Sequence, residues 1–231
     1  MENLPAYLEP LFVTTVLLTI ILFAQATPSK LNTTVFLVLW GGVFGALGYI
    51  GFFTNISAMP PRFVFMMGPA VVLILLMFVT KKGKTLTDRL DLKALTGVHL
   101  VRLPVEIILM ILAIGKAVPT EVTFEGRNFD IIMGLTALPV SWLIFKRNKS
   151  KKLLLAWNIL GILLLMNVVI HGVLSLPYPF QQISFEQPNL AMLYGPYNLL
   201  PGLIVPVVMF SHLAAIRKLL SSGERTNVIH G

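Results

Sequence analysis

His99, Arg102 and Glu106 interrupt an otherwise apolar stretch, Ala94 to Gly115, at i, i+3 and i+7. That spacing puts the three on one face of a helix. Ionisable groups are costly in lipid, so they turn toward the interior of a bundle and mark functional positions. Arg102 and Glu106, at i and i+4, are spaced to pair. Pairing lowers the burial cost and leaves hydrogen-bonding capacity in the core. Pro104 between them removes one helix hydrogen bond and frees a carbonyl. His212 lies about a turn and a half before Arg217. Its depth matches that of His99 on a helix of opposite direction. His99, Arg102, Glu106 and His212 thus form a first candidate ligand-binding group, with Asn158 near it. A second group lies toward the other surface: Asp130, Asn167, His171 and Asn198. Asn167 and His171 are i, i+4. Asp130 closes the polar segment that starts at Glu125. Asn198 follows Tyr194 and Tyr197 in a stretch that also holds Pro196, Pro201 and Pro206. Such prolines free backbone groups, which then need partners or a cavity.

These residues permit several chemistries. Two histidines on antiparallel helices are candidate axial ligands for a b-type haem. A zinc site needs three or four ligands, and His99, His212 and Glu106 would have to converge to supply them. No H-x3-H or H-E-x2-H pattern, no Walker-type loop and no Ser–His–Asp context accompanies them. The middle of the last apolar stretch has no lysine for a retinal Schiff base. The chain has no cysteine, which excludes disulfides, cysteine-ligated metal and a thiol nucleophile. The sequence therefore names no cofactor and no metal site beyond the pair His99 and His212. His230, near the C-terminus, reads as a tail residue.

The elements that position these groups follow from composition. Of 231 residues, 56% are hydrophobic and 12% charged. Soluble domains average about 25% charged, so the apolar excess faces something other than water. The expected fold is an all-α membrane bundle of seven transmembrane helices in one domain, residues 1–231. The expected spans are Leu8–Gln25, Leu31–Thr54, Phe63–Thr80, Ala94–Gly115, Asn128–Phe145, Leu153–Leu174 and Ala191–Leu219, each near the ~20 residues a crossing needs. Residues 220–231 are expected to form a flexible cytoplasmic tail. The first span ends in Ala24-Gln25-Ala26, which looks like a signal-peptidase site. Glu2 and Glu9, with no Lys or Arg before it, favour a retained helix.

Charge sets the orientation. Lys30; Lys81, Lys82, Lys84, Arg89 and Lys93; Lys146, Arg147, Lys149, Lys151 and Lys152; and Arg217, Lys218 and Arg225 fall on one side, fourteen against the three of Arg62, Lys116 and Arg127. The positive-inside rule then puts the N-terminus outside and the C-terminus in the cytoplasm. The net charge of +8 reads as a topology signal and a contact for anionic lipids, not as a nucleic-acid surface.

Gly41, Gly45 and Gly48 share one face of the second span, where they allow close helix packing. The segment Ser175 to Leu190, with three prolines and three aromatics, reads as an external cap or an interfacial loop. Pro61 to Pro69 and Pro188 to Pro196 both read P-x6-G-P, which suggests two triple-helix units joined by a fourth helix, a 3+1+3 repeat. The ten methionines read as core filling.

Several stretches together resemble an uncharacterised family of bacterial seven-helix integral membrane proteins. They are Pro60-Pro61-Arg62-Phe63, His99 to Glu106, Thr123 to Asp130, Pro179 to Gln182, Gln187-Pro188-Asn189 and Phe210 to Leu213. The resemblance implies a multi-pass protein of the bacterial inner membrane and carries no known activity. Three functions follow as expectations. The first is binding or transport of a small molecule through an interior polar cavity. The second is a metal- or haem-dependent enzyme or redox protein. The third is a receptor-like or assembly protein without chemistry.

Overall fold

The computed structural model describes residues 4–147 and 149–228, with residues 222–228 described by backbone alone. Eight helices and no strand are found among them. They are α1 (Leu8–Ala26), α2 (Lys30–Tyr49), α3 (Phe63–Val79), α4 (Lys81–Asp88), α5 (Leu92–Ile114), α6 (Ile131–Lys146), α7 (Lys151–Leu174) and α8 (Leu200–Ser221). Five of them, α1, α2, α5, α7 and α8, are long and apolar enough to cross a membrane. The count is six if α3 and α4 form one bent span. The short apolar α6 stands in place of the expected span Asn128–Phe145.

Local chemistry sets these boundaries. Asp91 Oδ1 accepts from Ala94 N at 2.7 Å and starts α5. Thr80 Oγ1 accepts from Gly83 N at 3.0 Å and starts α4. Each satisfies a helix-start donor that would otherwise lack a partner. Within α1, Thr15 and Thr19 return their hydroxyls to the carbonyls of Leu11 and Thr15. An apolar helix thus carries hydroxyls without leaving a polar group unpaired.

The sequence reading missed a right-angle turn. The chain bends by 86° between α3 and α4. Lys81 to Asp88, expected as a cytoplasmic loop, is a helix instead. Gly83 makes the bend tight, because a Cβ there would sit 2.6 Å from Met77 O and 2.7 Å from Leu76 O. Arg217 on α8 clasps Asp88 at 3.0 Å, and the Lys218 ammonium donates to the Leu90 carbonyl.

The seventh expected span also changes. Ala191 to Leu193 form one 3-10 turn, and the helix starts only at Leu200. Pro196 has no N–H for a helix ladder, and it biases Gly195 away from helix. Asn198 then ties this entry to α2, its Nδ2 donating to Phe44 O at 2.7 Å. The two P-x6-G-P segments therefore adopt different structures. Gly68 and Pro69 lie inside α3, whereas Gly195 and Pro196 lie in a turn. Local structure does not carry the suggested repeat. The helical backbone of α8 continues to Val228. The rest of the expected tail, with His230, lies outside the described residues.

The core centres on α1, α5 and α8. Leu8, Phe12, Val16 and Ile20 of α1 pack against Val105, Ile108 and Leu112 of α5. The glycine face of α2 does what its spacing requires. A Cβ at Gly41 would lie 3.2 Å from Leu203, and one at Gly48 would lie 2.8 Å from Gly195 N. Both α2 and α3 lean on α8 and scarcely touch each other. Ser175 to Leu190 is a packed cap. Tyr178 is buried, donates to Phe53 O at 2.8 Å and sits in a ring cluster with Phe63 and Phe180. Burial pushes its phenol above the ordinary tyrosine range. Gln187 Nε2 donates to Ala113 O and Val118 O, pinning the cap to the end of α5.

Candidate functional site

The three ionisable residues of α5 are buried on one face, as their spacing requires. Their partners come from three other elements. The Arg102 guanidinium pairs with the Asp130 carboxylate at the start of α6. Its other nitrogen, Nη2, lies 3.0 Å from Nε2 of His212 on α8. His212 Nδ1 lies 2.8 Å from Oδ1 of Asn158 on α7. Asn158 Nδ2 donates to Leu154 O at 2.8 Å.

These contacts fix the histidine tautomer. A carbonyl only accepts, so the Asn158 amide nitrogen faces Leu154 and its oxygen faces His212. His212 Nδ1 then carries the hydrogen and donates. Its Nε2 offers a lone pair, which Arg102, a pure donor, fills. The ring is neutral in this chain of bonds.

Glu106 is held separately. Its Oε1 accepts from Asn128 Nδ2 at 2.6 Å. Asn128 Nδ2 also donates to Val122 O at 2.9 Å, and its Oδ1 accepts from Asp130 N at 2.8 Å. Asn128 thus links the Glu106 carboxyl to the Asp130 backbone N–H. The expected Arg102–Glu106 pair is not formed. Asp130 takes the guanidinium and Asn128 takes the Glu106 carboxyl, so the partner comes from the next helix instead of the next turn.

His99 stacks on His212, with ring centroids 3.9 Å apart and planes 20° from parallel. Trp157 meets the edge of His99 at 5.2 Å and anchors its own indole N–H on Thr136 Oγ1 at 2.9 Å. Gly161 makes room for this stack. A Cβ there would collide with the His212 ring and come within 2.7 Å of Met133 Cε.

Among the described residues, four buried polar atoms of α5 have no partner. They are both ring nitrogens of His99, Arg102 Nε and Glu106 Oε2. Each such atom costs about 1–3 kcal/mol when left unpaired. The cluster therefore keeps unspent donors and acceptors in an apolar interior.

The second candidate group does not join it, except for Asp130. Asn167 Nδ2 donates to Arg127 O at 2.6 Å. His171 Nδ1 lies 2.8 Å from Asn167 O, within its own helix. Asn198 holds α8 to α2. Sequence reasoning placed Asp130 in the outer group and left out Gly161, Trp157 and Thr136. Gly161 had a signal: it is i+4 from Trp157 and i+3 from Asn158, a gap on the face that carries them.

Two cavities flank this region. One of about 80 Å³ lies under the cap and is apolar. One of about 530 Å³ lies between α2, α3 and α8. None of the eight candidate residues lines either cavity. Among the described residues, no group of three or more His, Asp or Glu is arranged to hold a metal ion. Stacking of His99 on His212, with ring centroids 3.9 Å apart, also leaves no gap for a haem held between the two imidazoles.

Residues 60–220 match a family model described as a domain of unknown function (DUF8737). The matched region contains the whole cluster and leaves out α1 and α2. No curated protein and no solved structure matches the chain.

Proposed function

We propose that this chain, which belongs to the family described as a domain of unknown function (DUF8737), is a multi-pass protein of the bacterial inner membrane that binds a small polar molecule. Its site is the cluster of His99, Arg102, Glu106, Asp130 and His212. The observation that carries this reading is the set of four unpartnered polar atoms on α5. Mixed donors and acceptors suit a ligand with both. The cluster holds one guanidinium and two carboxyl groups, one of them paired with it, so gain or loss of one proton changes the cluster's charge by one. Binding of a charged ligand there is then linked to the protonation of the cluster. The cluster lines neither of the two cavities, so a ligand reaches it through a local movement of the bundle.

The topology that goes with this function has seven crossings, with the N-terminus outside. Here α3 and α6 each cross, and α4 lies at the cytoplasmic surface with the basic loops on anionic lipid. The cysteine-free sequence makes a direct test simple. Single cysteines at Ser57, Glu125 and Glu186 are labelled by an impermeant maleimide in cells whose outer membrane has been opened. Cysteines at Lys82 and Lys149 are labelled only after the inner membrane is opened as well. The reverse pattern overturns the orientation.

Glu106→Gln tests the site. The purified protein in lipid nanodiscs is melted against a panel of amino acids, carboxylates, amines and sugars. A ligand that binds only the folded protein raises Tm with the logarithm of its concentration over Kd. At least one compound stabilises the natural chain and leaves Glu106→Gln unmoved, while the unliganded Tm of both is similar. Equal responses in both proteins assign the cluster a structural role only.

A further inference from the structure

The cavity of about 530 Å³ has a place in the fold that the cluster does not use. Its floor is α8, at Gly202, Leu203 and Pro206, and its walls are α2 and α3. Those two helices scarcely touch each other, so the space is a cleft that opens sideways. Its volume falls in the range of about 300–1,000 Å³ that small-molecule sites occupy. The wall from Ser29 to Trp40 on α2 is about 16 Å long at 1.5 Å per residue. That is about half of the ~30 Å hydrocarbon core, or one leaflet.

The two ends differ. The deep end is apolar and holds Trp40, Leu203 and Ile74. The shallow end, at the α1–α2 turn and α4, carries Thr27, Ser29, Asn32, Thr33, Thr87 and Arg89. No acidic residue lines the cleft. The Arg89 side chain is exposed and makes no hydrogen bond or ion pair among the described residues. The adjacent Asp88 is taken by Arg217. Lys30, Lys81, Lys82 and Lys84 stand exposed at the same end.

We infer that the cleft binds one phospholipid with an acidic headgroup. One acyl chain lies between α2 and α3, and the phosphate sits on Arg89. A one-leaflet length, a sideways opening and a guanidinium at the rim, with exposed lysines around it, are what such a molecule fits. Guanidinium groups hold phosphate oxygens through paired hydrogen bonds. Trp40 marks the inner end of the cleft, its indole N–H donating to Gly202 O at 2.9 Å.

Bromine on an acyl chain quenches tryptophan fluorescence at contact, which makes Trp40 the reporter. Trp142 is exposed and is removed by Trp142→Phe. The remaining third tryptophan, Trp157, is buried beside His99. Nanodiscs of phosphatidylcholine carry one tenth of either brominated phosphatidylglycerol or brominated phosphatidylcholine. The acidic lipid is expected to quench at least about threefold more than the zwitterionic one at equal mole fraction. In Arg89→Gln, a surface change that leaves folding intact, the difference disappears. Equal quenching by both lipids overturns the proposal, as does an unchanged preference in Arg89→Gln. Quenching by a brominated free fatty acid but not by the phospholipid also overturns it.

Discussion

Asp130→Ala is expected to lower the stability of the protein by about 3–5 kcal/mol, the cost of leaving one partner of a buried ion pair uncompensated. The guanidinium of Arg102 is held between Asp130 and His212, and His212 offers it only a neutral lone pair. Removing Asp130 therefore strands a full positive charge in the bundle. Asp130→Asn keeps an acceptor for the guanidinium and should lose less. The double replacement Arg102→Met with Asp130→Leu should recover most of the loss, because an apolar pair of similar volume often packs as well as the ions did. Equilibrium unfolding of the four proteins in one lipid environment decides the matter. A loss below about 1 kcal/mol for Asp130→Ala would mean that the pair is solvated like a surface bridge.

Gly161→Ala is the second large effect. The added methyl has no free volume, since the His212 ring and Met133 already fill its place. Forcing a group into a packed core costs about 1–3 kcal/mol. The loss should also have a chemical signature, because His212 must give way. Its bonds to Arg102 and Asn158 are 3.0 and 2.8 Å, with little slack. In histidine ¹⁵N spectra, the signal of an Nδ1–H tautomer should weaken or shift in Gly161→Ala. Adding His212→Ala to Gly161→Ala should cost less than the sum of the two single changes, since neighbours that share one space couple. Strict additivity would show that the ring does not rest on Gly161.

The sequence made part of this site readable. The i, i+3, i+7 spacing on α5 put His99, Arg102 and Glu106 on one buried face, and hydropathy placed His212 at the same depth. The choice of partners was not readable. Glu106 is the nearest acid to Arg102 along the chain, yet the guanidinium sits on Asp130, 28 residues away. Spacing ranks neighbours on one helix, and it does not rank them against a residue delivered by another. The α-helical class and the glycine face of α2 were legible because each depends on a short-range period. The α3–α4 turn was not. Lys81, Lys82 and Lys84 count as loop by charge, but Thr80 caps them into a helix. Hydropathy likewise ran the last span from Ala191 because it averages over residues, and the turn at Gly195-Pro196 delays the helix to Leu200 regardless of the average.

The right angle at Thr80 has a further consequence once α3 is set across the bilayer. Helix α4 then lies along the membrane surface instead of through it. Its eight residues extend about 12 Å, with a width of about 10 Å. They add on the order of 100 Å² to the area the protein occupies in one leaflet and none to the other. In the proposed topology α4 widens the protein on the side that carries its lysines. Surface-lying helices respond to curvature for this reason. A wedge of this sense relaxes where the broader leaflet is on the outside of a bend, so membrane shape itself becomes a force on the distribution of the protein.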